Sequence, residues 1–152
     1  MRPAVDVETQ NNELKTLNIS EAQFVALLRE FVDGIEAFYG MQPIIYTSAS
    51  EWQTLTADSS EFEESPLWIA NVAMNDLKKR GALDDVPGAV IPGAPVEPLL
   101  PSAWRGGWYF WQYSWKGRID GIAPLVDLDV FSGSYKDPTD FAGFTVKYEQ
   151  QA

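Results

Sequence analysis

The chain has no cysteine and no histidine. Without thiols there is no disulfide scaffold and no thiolate metal site, and the redox compartment stays open. Without imidazole there is no histidine-based triad and almost no kind of zinc hydrolase site, so acid–base chemistry falls to Asp, Glu, Tyr or Lys. Positive charge is scarce as well: 11 Lys and Arg face 22 Asp and Glu, a formal net charge of −11. Binding to nucleic acid or to an anionic membrane needs a basic footprint, and no run of Lys or Arg supplies one. No apolar run approaches the roughly 20 residues that span a bilayer, and the opening residues lack the basic-then-apolar order of an export signal. The expectation is a soluble chain with no membrane or nucleic-acid partner and no export signal.

What is present is enough for one compact domain over residues 1–152. At that length roughly 65–70% of the unfolded surface becomes buried. Aromatic residues are abundant, with six Trp, of which Trp104, Trp108, Trp111 and Trp115 fall within twelve positions.

Residues 3–8, PAVDVE, read as a short strand with Ala4, Asp6 and Glu8 on one side and Val5 and Val7 on the other. A helix starts at Ser20, where Ser20 and Gln23 form a capping-box pattern, and Phe24, Leu27, Leu28, Phe31, Val32, Ile35 and Phe38 keep helical spacing up to Gly40. PIIYTS (43–48) reads as a buried strand, SEWQTL as a short helix and PLWIANV (66–72) as another strand. Residues 73–107, rich in Pro and Gly, read as a long surface loop with a helical turn near 75–80. WYFWQYS (108–114) and LVDLDVF (125–131) are the last two strands, and the residues from Pro138 onward read as a weak helix or tail. The alternation predicts an α/β chain with a mostly parallel sheet, open or closed into a barrel.

Two acids at i and i+2 on a strand point to the same side about 6.5–7 Å apart at Cα, close enough to raise one another's pKa when buried. One protonated acid beside one carboxylate is the division of labour of a glycosidase. The plainer alternative for Asp6 and Glu8 is the solvent face of an edge strand. VDLDVF repeats the spacing: Asp127 is the better site candidate, whereas Asp129 reads as a turn residue leading into SGS. Tyr46, Trp68, Trp111 and Tyr113 lie on predicted strands and would wall a carbohydrate groove, with the Gln112 amide available to sugar hydroxyls; taken singly, each is equally a core residue.

In order, AVDVE, PIIYTSASEW, PLWIANV and LPSAW followed by WYFWQYSWKGRIDGIAPLVDLDVFSGS resemble the glycoside hydrolase family 25 lysozymes, from about Pro3 to Ser134. The resemblance implies a modified β/α barrel that cleaves the β-1,4 bond between N-acetylmuramic acid and N-acetylglucosamine in peptidoglycan, with no metal or other cofactor. It implies that Glu8 is the general acid, that Asp6 orients or polarises the substrate acetamido group or stabilises charge at the anomeric carbon, and that Asp127 lines the same pocket. It places Tyr46, Trp68, Trp111 and Tyr113 among the pocket aromatics, and it implies a secreted or phage-associated setting.

In that family the D-x-E strand is the fourth of eight. The expected fold is therefore an incomplete TIM-like β/α barrel with about five C-terminal strands, the first three and their active-site Asp missing. The open sheet would pair with a separately supplied N-terminal half or self-associate, and its activity would fall below that of a full-length relative. Two alternatives stand beside the muramidase reading. One is a noncatalytic glycan-binding remnant that uses the aromatic wall. The other is a chitinase-like barrel, whose signature also ends in D-x-E but demands further Asp residues upstream, where only Met1 to Val5 are available.

Overall fold

The computed structural model describes residues 2–9, 13–72 and 97–133. Their elements run β1 (Ala4–Asp6), α1 (Glu13–Leu17), α2 (Glu21–Tyr39), β2 (Ile44–Thr47), α3 (Ala49–Thr56), β3 (Leu67–Ala70), β4 (Phe110–Gly117) and β5 (Val126–Phe131). They form one five-stranded sheet in the order β1-β2-β3-β4-β5. The expected strands and the two longer helices are all present, with α1 added. The helical turn near 75–80 and the tail from 138 lie outside the described residues.

β1 to β4 pair in parallel, each joined to the next through a long connection. β4 and β5 pair antiparallel. Residues 118–125 connect them, and so short a link falls below the roughly dozen residues that a parallel crossover needs. The sheet is open among the described residues, with β1 at one edge and β5 at the other.

Helix α2 begins as its sequence predicts. The Ser20 backbone N–H donates to Gln23 Oε1 at 2.8 Å, and the Gln23 N–H donates to Ser20 Oγ at 3.3 Å. It ends at Gly40, whose φ of 68° is the left-handed conformation that glycine adopts without a Cβ clash. Val25, Leu28 and Val32 are its buried face.

Period-two alternation sorts the strands into two faces. Val5, Val7, Ile45, Leu67, Ile69, Trp111, Tyr113 and Leu128 join Val25, Leu28, Val32, Trp52, Leu55, Phe62 and Trp104 in one core cluster. Trp52 packs edge-on against Trp104 and Phe62, with ring centroids 4.7 and 5.6 Å apart. Each buried indole finds an acceptor: Trp52 Nε1 donates to Ser59 O and Trp104 Nε1 to Ser65 O. That removes the cost of burying an unpaired N–H while the ring area stays in the core.

α2 covers the sheet unevenly. At 100° per residue, Arg29 lies on one flank, where its guanidinium sits 4.1 Å from the Phe62 ring centroid. Leu27, Phe31 and Phe38 fall on the opposite flank and are 56%, 59% and 81% exposed. The helix thus carries an apolar arc of which only half is buried.

Candidate active site

The other face of the sheet forms an open cleft of about 380 Å³ lined by Ala4, Asp6, Glu8, Tyr46, Trp68, Gln112 and Asp127. The strand register explains why these residues meet. Asp6 lies opposite Tyr46, Tyr46 opposite Trp68, and Trp68 opposite Phe110, so one cross-strand row runs from the acid to the aromatic wall. Glu8 lies two residues beyond Asp6, on the same side.

The peptide that carries Glu8 is anchored through its neighbour. Val7 is buried, its N–H donates to Tyr46 O at 2.8 Å, and its carbonyl accepts from Thr47 Oγ1 at 2.8 Å. The Val7 side chain fills the core, and Glu8 therefore projects from the opposite face.

Tyr46 and Trp68 meet edge to face, with centroids 5.3 Å apart at 78°. The Tyr46 hydroxyl donates to Gln112 Oε1 at 2.6 Å, and the Trp68 indole N–H donates to Asp129 Oδ1 at 2.7 Å. Polar atoms at the rims of both rings are thereby satisfied, and the ring planes are set.

The electrostatics are those of a carboxylate-rich cleft. Burial raises the proton affinity of Asp6 above that of an ordinary carboxylate. Glu8 is raised by burial first, then by the charges of Asp6 and Glu51. Asp129 is raised by burial and by Asp127, an effect that the Trp68 hydrogen bond partly opposes. The Tyr46 phenol is pushed well above its usual value by burial and by Glu8, Asp6, Asp127 and Asp129, so it stays protonated as a donor. Among the described residues no group of three His, Cys, Asp or Glu is placed to hold a metal ion.

Of the residues singled out from sequence, Asp6, Glu8, Tyr46, Trp68, Gln112 and Asp127 come together here. Trp111 and Tyr113 do not. They are 0% and 1% exposed, in the core on the opposite face, because neighbours of Gln112 on a strand must point away from it. The Trp111 indole N–H is committed to Asn71 O at 2.9 Å. Asp129, read from sequence as a turn residue, instead orients Trp68; the signal was its i+2 spacing from Asp127. Glu51 adjoins the site from α3, and nothing local in the sequence marks it.

The sequence model described as Glycosyl hydrolases family 25 matches residues 1–122. Lysozyme M1 of Streptomyces globisporus is 27% identical over 131 residues, which cover 86% of this chain and 37% of that protein. An N,O-diacetylmuramidase of Arthroderma benhamiae is 27% identical over 142 residues, covering 91% of this chain and 48% of that one. Among solved structures, a muramidase from Acremonium alcalophilum and a bacterial lysozyme from Streptomyces coelicolor each superpose with a TM-score of 0.62 at 25% identity, over 88% of this chain and 51% of theirs. The chain thus spans about half or less of the length of the relatives it matches. With the acidic strand, the aromatic row and the first four of the five strands inside the matched residues, the chain belongs to glycosyl hydrolases family 25.

Proposed function

We propose that this chain acts in peptidoglycan hydrolysis as a muramidase, cleaving the β-1,4 bond between N-acetylmuramic acid and N-acetylglucosamine. Glu8 is the general acid: its proton passes to the glycosidic oxygen as the bond from that oxygen to C1 breaks. The substrate's acetamido oxygen closes on C1 in the same step, with Asp6 accepting from the acetamido N–H and strengthening that oxygen as a nucleophile. Glu8, now a carboxylate, takes a proton from water as the water oxygen attacks C1 and reopens the ring. Asp127 lines the cleft beside the sugar, Tyr46 and Trp68 supply its apolar wall, and Gln112 fixes the Tyr46 hydroxyl. The observation that carries this reading is the pair of acids at and just past the end of β1, lining one cleft with Tyr46 and Trp68, with Glu8 held towards its protonated form.

The test is release of reducing ends from purified peptidoglycan. Glu8→Gln keeps the shape but has no proton to donate, and its rate should fall by about 10²–10⁴-fold. Full activity in that variant would reject Glu8 as the acid. Muropeptide binding without reducing-end release by the unsubstituted chain would favour a glycan-binding role.

We propose further that one more βα segment, of the kind the family resemblance puts ahead of the acidic strand, covers the β1 edge and the Leu27, Phe31 and Phe38 flank of α2. A strand beside β1 would pair its free backbone groups, and an apolar helix face would cover the exposed rings. A second copy is a poor fit, since two chains of charge −11 repel one another. Analytical ultracentrifugation should show a monomer alone and a one-to-one complex with the preceding βα units of a full-length relative, with faster wall hydrolysis in the complex. A stable homodimer, or no gain in hydrolysis, would refute this.

A further inference from the structure

The residue that follows the proposed acid is held by a carboxylate from a different element. Glu51 is the third residue of α3, and its own N–H donates to the Ser48 N-cap hydroxyl at 3.1 Å. A negative side chain is favoured in this first helical turn by the free N–H groups and the helix dipole. The Glu51 side chain reaches back to the end of β1, where Oε2 accepts from the Thr9 N–H at 3.2 Å. Thr9 is 42 residues away in sequence, so this is a tertiary contact and no part of the cap.

Glu8 therefore sits between two anchored peptides. On one side Val7 is fixed to β2 through both its N–H and its carbonyl. On the other, Thr9 is fixed to α3. The chain has left β1 by this point, and the Glu51 carboxylate ties the peptide after Glu8 to α3.

We propose that Glu51 is a positioning residue for Glu8: it pins the peptide that follows Glu8 and sets a negative charge beside the Glu8 side chain. This rests on the reading of Glu8 as proton donor. The groups that bear on Glu8 are Asp6 from β1, Glu51 from α3 and the neutral Tyr46 phenol from β2, with Asp127 of β5 across the cleft. Burial, Asp6 and Glu51 all act on Glu8 in one direction, towards retention of its proton. Asp6 is also assigned a direct part with substrate, so Glu51 is the group that can tune the acid without touching the sugar.

The test uses the full chain and needs no turnover. Side-chain carboxyl carbons are titrated by NMR, with the Glu8 signal assigned from Glu8→Gln, in the unsubstituted chain, Glu51→Gln and Glu51→Ala. Glu51→Gln keeps an acceptor for the Thr9 N–H but removes the charge: the Glu8 midpoint should move to lower pH while Thr9 amide exchange stays slow. Glu51→Ala should show the same midpoint change with Thr9 exchange about tenfold faster, as expected for loss of one hydrogen bond. An unmoved Glu8 midpoint in both variants, or unchanged Thr9 exchange in Glu51→Ala, would overturn the proposal. Peptidoglycan hydrolysis by Glu8→Gln judges the acid assignment separately, since that assignment can hold while the Glu51 role fails.

Discussion

Gly117 ends β4 opposite Val126, and its missing side chain makes room for Leu128 of β5. A β-carbon built at Gly117 would lie 2.5 Å from Leu128 Cγ and 2.6 and 2.9 Å from its two methyl carbons. Carbon atoms in contact sit about 3.5–4.0 Å apart, so Gly117→Ala demands movement of roughly 1 Å. Leu128 is 6% exposed and belongs to the core cluster, so turning it outward forfeits most of about 2 kcal/mol of burial. Overpacking of this kind costs about 1–3 kcal/mol. In the other direction, Ala over Gly in a strand gains about 0.5–1 kcal/mol. The clash wins, leaving a net loss of about 1–2 kcal/mol, or a Tm lower by roughly 2–8 °C for a chain of this size. Thermal unfolding followed by Trp fluorescence reads this directly. In a Leu128→Ala background the same substitution should cost far less, because its obstacle is gone. Equal stability of Gly117→Ala and the unsubstituted chain, or simple addition of the two costs, would refute the account. Asp127 and Asp129 flank Leu128, so Gly117→Ala should also disturb the hydrogen bond that the Trp68 indole N–H donates to Asp129.

Two further outcomes follow from the same geometry. Ala57 caps α3 at φ 52° with its N–H donating to Gln53 O; Ala57→Gly relieves the left-handed Cβ clash and should stabilise by about 0.5–1 kcal/mol, read as a higher urea midpoint. Folding raises the proton affinities of Asp6, Glu8 and Asp129, so the folded state binds more protons than the unfolded chain, and the stability these groups contribute is full below the ordinary carboxylate range and lost as pH rises through their folded values. Glu8→Gln cannot ionise, so its stability relative to the unsubstituted chain should improve between about pH 4 and pH 7; urea midpoints whose difference does not change over that range would contradict the shift.

Much of the cleft was legible from strand alternation and the family motif together. Asp6 and Glu8 share a side because they are two apart, and Tyr46, Trp68 and Gln112 each stand between core neighbours. The misreading of Trp111 and Tyr113 came from letting aromatic richness override that period, since neither can share a face with Gln112. Asp129 went the opposite way: its spacing from Asp127 was the better guide than the turn residues after it. α1 was invisible because the five residues ELKTL are too short to display helical periodicity. The Glu51 contact to Thr9 bridges 42 positions, and only the folded chain brings them together.

The interleaving of cleft and core has a consequence for how this chain can change over generations. Tyr46 stands between Ile45 and Thr47, Trp68 between Leu67 and Ile69, and Gln112 between Trp111 and Tyr113, with each flanking residue buried. Loss of a single residue within any of these strands would turn the buried neighbours out to water and draw the cleft residues inward. Changes in length are therefore confined to the connections, whereas substitutions at the cleft positions leave the helix-covered side intact. Burial of the flanking residues by itself therefore holds the cleft positions in register.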